Sequence, residues 1–169
     1  MNGPILSIIT VNFNNNLGLL KTLESVSSQS FSSYEHIIID AGSTDGSRET
    51  IIQYEKENPH LSFWSSESDK GIYDGMNKGI DHAKGQYLYF LNSGDCLSQD
   101  ILAKIPFDGT EYLYGDTILF YKRKTKKRVY PDTLDLIYLS DNSLHHQSCF
   151  IHHTCLLYTS PSPRDMRRS

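Results

Sequence analysis

With 169 residues, 38% of them hydrophobic and 21% charged, the chain is long enough for one globular domain with a sizeable core, and no second domain needs to be sought. A formal net charge of -4 and a pI near 5.9 exclude a global attraction to nucleic acid, although one basic cluster stands out locally. No apolar run approaches bilayer-spanning length and the Met1-Asn2-Gly3-Pro4 start shows no signal-peptide pattern, so the expected location is the cytosol. Cys96, Cys149 and Cys155 have neither metal-ligand spacing nor an even-numbered disulfide framework and read as reduced thiols.

Ile5 to Val11 is β-branched and apolar and runs into Asn12-Phe13-Asn14-Asn15-Asn16, which cannot continue a strand; a first strand with a polar C-terminal loop is predicted. Between Leu17 and Gln29, Leu19, Leu20, Leu23 and Val26 fall at helical spacing, with the asparagines before them as candidate N-caps. Glu35 to Asp40 predicts a second strand closed by an acid, and Ser43 or Thr44 is placed to cap a helix through Tyr54. Leu61 to Trp64 reads as a third strand. After a polar loop from Ser65 to Lys70, Ile72, Met76, Ile80 and Ala83 mark a helix within Gly71 to Lys84, with Gly85 as its C-cap. The aromatic and apolar run up to Leu91 predicts a fourth strand, buried on both faces, that delivers Asn92-Ser93-Gly94-Asp95 into a loop.

Strand and helix alternate from Ile5 to Leu91, which predicts an α/β fold: a mostly parallel, Rossmann-like sheet with helices on both faces. Ligands of such sheets bind beyond the carboxyl ends of the strands, where Thr10, Asn12, Asp40 and Asp95 gather, joined by Asp69, Lys70 and Gly71 from the loop before the third helix. Polar strand ends and Asn-Ser-Gly-Asp turns also occur without function, so the convergence on one rim is what marks them. Farther along, Tyr112 to Tyr121 and Arg128 to Tyr130 read as a hairpin joined by the basic run Lys122-Arg123-Lys124-Thr125-Lys126-Lys127-Arg128. That run has two readings: a solvated hairpin tip, or a contact with anionic lipid headgroups or a lipid-diphosphate acceptor at a membrane surface.

Ile8-Ile9-Thr10-Val11-Asn12-Phe13-Asn14, Ile39 to Gly46, Asp69 to Gly79 and Tyr89 to Asp95 resemble, in order and spacing, the inverting family 2 glycosyltransferases, and are most similar to bacterial enzymes of colanic-acid, capsule and O-antigen assembly. The resemblance spans about Ile5 to Phe150. It implies a GT-A fold, a UDP- or GDP-sugar donor, a saccharide or lipid-linked acceptor and a divalent cation, Mg²⁺ or Mn²⁺. Thr10 and Asn12 would line the nucleoside pocket, Asp40 would bond the base, Asp69 would lie near base or ribose, Gly71 would belong to the nucleotide-sugar site, and Asn92 to Asp95 would be the equivalent of the metal-binding DXD motif. Asn92 and Gly94 stand where many members carry Asp, which leaves Asp95 as the sole carboxylate metal ligand; Mg²⁺ held by one carboxylate, the donor phosphates and waters is still workable.

Tyr114-Gly115-Asp116 is similar to the segment opening the acceptor half, and His145 to Phe150 to the His-Gln stretch near the donor sugar. His145, His146, His152 and His153 do not read as one metal site, because neighbouring strand residues face opposite ways. Cys155 to Asp165 matches a translated transposase-type sequencing adaptor. The expected domain is therefore 1-153, with 154-169 a non-native disordered tail. In the resembled family the general-base Asp lies beyond the His-Gln stretch, so this chain is expected to lack it, to be incomplete at its C-terminus, and at most to bind donor. A non-catalytic nucleotide-sugar binding module or an inactive fragment is the alternative. A nucleotidyltransferase would need a Gly-rich, Arg- or Lys-bearing phosphate loop after the first strand, and Asn12 to Asn16 contains neither glycine nor a cation.

Overall fold

The computed structural model describes residues 3–121, 124–134, 138, 140, 142 and 144–156. The elements that form the nucleus are β1 (Leu6–Asn12), α1 (Asn16–Ser27), β2 (Tyr34–Asp40), α2 (Ser47–Glu57), β3 (Leu61–Ser66), α3 (Ile72–His82) and β4 (Tyr87–Phe90). Every residue of β1 and β2 is buried, as expected for interior strands of a sheet covered on both sides. Beyond them come β5 (Tyr112–Tyr114), β6 (Thr117–Tyr121), β7 (Lys124–Arg128), β8 (Cys149–His152) and the helical turn α4 (His153–Leu156).

The main sheet has the order β3-β2-β1-β4-β8-β5. Strands β1 to β4 are mutually parallel, and β8 is antiparallel to both β4 and β5. On one face Leu19 and Leu23 of α1 and Ile51 and Tyr54 of α2 enclose Ile38. On the other, Met76, Ile80 and Ala83 pack on Ile9, Ile37, Ile39, Leu88 and Phe90. The predicted architecture is thus the observed one. It also sets a reversal: β1, β2 and β3 progress toward one edge, then α3 crosses on the opposite face to place β4 on the other side of β1. Loops leaving β1 and β4 diverge at that point, which opens a crevice past their C-terminal ends.

Three expectations are corrected. Helix α2 is not capped by Ser43 or Thr44: its N-cap is Gly46 at φ 93°, and Asp45 Oδ1 accepts from the Ser47 amide (3.2 Å) and hydroxyl (2.6 Å) while Ser43 is drawn toward Asp40. Helix α3 is C-capped by Ala83, not Gly85. Gly85 is required for a different reason, since a Cβ there would lie 2.5 Å from the Ser7 amide nitrogen. The basic run does not bridge two strands, because Lys124–Arg128 is itself a strand paired with Thr117–Tyr121 in a separate two-stranded sheet. Asn15 is the N-cap of α1, accepting from the Gly18 amide. Thr154 to Leu156, assigned by sequence to the tail, continue a helical turn whose His153 amide donates to Gln86 O (2.8 Å); residues 157–169 lie outside the described residues.

Candidate functional site

The last rung shared by β1, β2 and β3 is polar, with Asn12 opposite Asp40 and Asp40 opposite Ser66. The Asp40 carboxylate is fully buried and accepts from Asn12 Nδ2 (2.7 Å), Ser43 Oγ (2.5 Å), the Ser43 amide (2.9 Å) and Ser66 Oγ (2.6 Å). Burial opposes its ionisation, but the donors from Ser43, Ser66 and Asn12 outweigh burial and hold the carboxyl below its ordinary value. Asp40 therefore works as a clamp across three strand ends, tying the β2 loop and the β3 terminus to Asn12. One rung deeper, Thr10 is fully buried, and its Oγ1 is 2.9 Å from His36 Nε2.

Above this rung lies a cavity of about 590 Å³ between the ends of β1 and β4 and the start of α3. Asn12, Asp69, Gly71 and Asn92, four of the residues singled out from sequence, line it, and Thr10, Asp40 and Asp95 do not. Asp69 Oδ1 accepts from the Gly71 amide (2.8 Å), which turns the chain into α3 through Gly71 at φ 112°. Four buried side-chain oxygens have no hydrogen-bond partner among the described residues, and three of them belong to cavity-lining residues: Asn12 Oδ1, Asp69 Oδ2 and Asn92 Oδ1. Buried acceptors left unpaired are costly, so a rim carrying three is suited to a ligand rich in N–H and O–H donors.

Sequence reasoning missed Phe13, Asn15 and Ile72. Phe13 and Ile72 border the cavity yet remain 63% and 47% exposed, an apolar frame at its mouth. Asn15 caps α1 and also donates from Nδ2 to Ser93 O (3.0 Å), fixing the β4 loop against the β1 loop. An asparagine cluster suggested only a cap; nothing local signals its partner 78 residues away. Gly75 makes room in the same region, because a Cβ on it would fall 2.9 Å from Val11 Cγ1 and 3.2 Å from Asp69 Oδ2.

The Asn92 to Asp95 segment is a turn closed by the Asp95 amide donating to Asn92 O (2.9 Å), with Gly94 at φ 100°. Thr22 of α1 holds it from behind, its hydroxyl 2.7 Å from Asp95 O and accepting from the Gly94 amide (3.0 Å). Asn92 Nδ2 lies 3.2 Å from His146 Nε2, so the His-Gln stretch does reach this turn. Burial, then the nearby Arg128 guanidinium and the adjoining His146, push the His145 imidazole down. Among the described residues no group of three acidic, His or Cys side chains forms a ready metal cage. The unpaired Asn92 Oδ1 is a hard oxygen suited to a divalent cation that completes its shell with phosphate oxygens and waters, and the half-buried Asp95, three residues on in the same turn, lies outside the cavity lining.

An open, doubly wound α/β sheet with a crevice at its switch point is the architecture of a nucleotide-binding domain. The chain belongs to glycosyl transferase family 2, whose sequence profile matches residues 7–160. An uncharacterized glycosyltransferase of Mycobacterium tuberculosis, Rv1514c, is 42% identical over 103 residues, covering 60% of this chain and 38% of that protein. The putative teichuronic acid biosynthesis glycosyltransferase TuaG of Bacillus subtilis is 37% identical over 101 residues, 60% of this chain and 40% of its own. The chain thus spans less than half the length of these relatives. In solved structures the fold is shared with a mannosyltransferase of Pyrobaculum calidifontis in complex with GDP-Man and Mn²⁺ (TM-score 0.55, 21% identity, 60% of this chain and 31% of that one). It is also shared with TarS 1-349 of S. aureus in complex with UDP-GlcNAc (TM-score 0.52, 21% identity, 59% and 29%). The sheet is therefore of the GT-A type.

Proposed function

We propose that this chain is the donor-binding part of a glycosyltransferase that moves a sugar, with inversion, from a UDP- or GDP-sugar to a saccharide or lipid-linked acceptor in bacterial cell-surface polysaccharide assembly. The observation that carries the reading is the set of three unpaired acceptors, Asn12 Oδ1, Asp69 Oδ2 and Asn92 Oδ1, on residues that line one cavity of about 590 Å³ at the switch point. A nucleoside diphosphate matches it: the base and ribose bring N–H and O–H donors, and Phe13 and Ile72 offer an apolar border for the flat base. The start of α3 at Gly71 and Ile72 faces the same cavity, and a helix N-terminus favours the anionic diphosphate.

Asn92 and Asp95 would hold Mg²⁺ or Mn²⁺, which when bound neutralises the charge that develops on the departing diphosphate. Thr22 and Asn15 keep that turn in place, and Asp40 keeps Asn12 oriented. Inversion needs a general base on the acceptor side, and no residue of this chain is assigned that role. The names of TuaG and of the UDP- and GDP-Man-bound neighbours support the substrate class. The reading sets the protein in the cytoplasm, with a lipid-linked acceptor reached at the inner face of the plasma membrane.

The metal assignment has a direct spectroscopic test. Addition of the chain to Mn²⁺ and UDP should quench the free Mn²⁺ electron-spin resonance beyond the chelation by UDP alone, while the chain without UDP leaves most of the signal. In Asp95→Ala the quenching should weaken by at least about tenfold, the loss of one charge-assisted ligand. Unchanged quenching in a folded Asp95→Ala chain would remove Asp95 from the metal site.

A further inference from the structure

The hairpin β6-β7 stands apart from the main sheet and carries an unusual surface. Ile118, Leu119, Phe120 and Tyr121 of β6 are 45%, 38%, 81% and 71% exposed. The strand opposite is Lys124-Thr125-Lys126-Lys127-Arg128, exposed from Lys124 to Lys127. Residues directly paired across a two-stranded ribbon share a face, so Leu119 and Tyr121 lie with Lys126 and Lys124, and Phe120 lies with Thr125. At the outer end of the ribbon, next to the connection between the strands, the exposed Tyr121 shares a face with Lys124 and the exposed Phe120 shares the opposite face with Thr125.

A ribbon built only for solvent has no need of four consecutive large apolar side chains, and a protein core would not leave them in water. Cations interleaved with aromatic and aliphatic groups match one surface in particular, the headgroup region of an anionic bilayer. There, amphipathic rings settle at the interface while ammonium groups meet phosphate. We propose that the outer end of the β6-β7 hairpin docks this protein on anionic membranes. The overall charge of -4 makes the patch a local feature, so docking is oriented: the hairpin turns toward the bilayer and the acidic remainder away.

The base of the hairpin is tied to the cavity wall, which gives the docking a consequence. Asp116 at its foot pairs with Lys127 (2.8 Å) and accepts from the Tyr130 amide (3.3 Å). The Tyr130 hydroxyl accepts from the His145 amide (3.1 Å), and the adjoining His146 lies 3.2 Å from Asn92. A bilayer that holds the hairpin thus fixes the orientation of the Asn92 side of the cavity. Docking rests on the hairpin alone and is independent of what the cavity binds. Among the described residues no helix is long and apolar enough to cross a membrane.

The test is co-sedimentation of the whole chain with vesicles of equal parts phosphatidylglycerol and phosphatidylcholine, against vesicles of phosphatidylcholine alone. Binding should require phosphatidylglycerol and fall as salt is raised. Lys124→Glu/Lys126→Glu should lower the partition coefficient by at least about 25-fold, from about fivefold per lysine at an anionic surface. Phe120→Ser should lower it by about tenfold through lost apolar burial. The substituted residues lie outside the main sheet, and an unchanged far-UV spectrum and unfolding transition confirm that each variant is folded. Equal sedimentation with both vesicle types would overturn the proposal, as would full binding by the double variant. Retention of binding in Phe120→Ser together with equal capture by soluble polyglutamate would also overturn it, reassigning the ribbon to polyanions in general.

Discussion

His36 shows how a single side chain sets a condition on the fold. It is fully buried on β2 between Thr10 Oγ1 (2.9 Å) and the Tyr54 hydroxyl (3.1 Å), and burial pushes its imidazole down to about 3. The folded state keeps it neutral, whereas the unfolded chain takes up a proton near the ordinary value of 6.5. Its contribution is therefore complete above that value and declines as pH falls toward 3, by about 1.4 kcal/mol per pH unit. Urea unfolding from about pH 7 to about pH 4 should show this slope, and His36→Gln should lessen it by about one proton. An identical slope in the variant would contradict the assignment. Asp40 acts in a lower window. Held below its usual 3.8, it stabilises above that value and loses its contribution only as pH drops further.

At this scale the sequence disclosed identities better than partnerships. Asn12, Asp69, Gly71 and Asn92 were legible as rim residues because strand ends and the loop before a helix are where an α/β sheet presents polar groups. That Asp40 and Thr10 face neighbouring strands and not the cavity was not legible. Which side of a rung a side chain serves depends on what the adjacent strand places opposite it, here Asn12, Ser66 and His36.

Among the elements, α3 has the most demanding fit. Gly79 sits on Ile9, and a Cβ there would come within 2.4 Å of Ile9 Cγ2. In an open helix Gly→Ala stabilises by about 1 kcal/mol; here the collision should reverse the sign, and Gly79→Ala should destabilise by about 2 kcal/mol as α3 lifts from β1. The urea midpoint reads the difference, and a stabilised Gly79→Ala chain would show that α3 packs farther from the sheet than described. The alternation of strands and helices could be read from apolar periodicity alone, since β1, β2 and β4 are buried runs and α1 and α3 keep helical spacing. Caps and the hairpin could not. Gly46, not Ser43, is the N-cap of α2 because Asp40 recruits Ser43 across the loop, and the lysine-rich run became a strand because β6 offers it a ladder. Local propensity carries neither piece of information.

For the molecule as a whole, the order β3-β2-β1-β4-β8-β5 matters most, because it fixes where a ligand goes. Once β4 lies on the far side of β1, the loops after both strands and the start of α3 must frame one crevice, and the unpaired oxygens of Asn12, Asp69 and Asn92 belong to its lining. In the proposed function this crevice binds the nucleoside diphosphate of a sugar donor. Calorimetric titration of the chain with UDP and GDP, each with and without Mn²⁺, tests it most directly. One saturable site is expected for at least one of the two nucleotides, tightened by Mn²⁺. Absence of binding to both nucleotides with Mn²⁺ present, by a chain whose unfolding transition shows it to be folded, would contradict it.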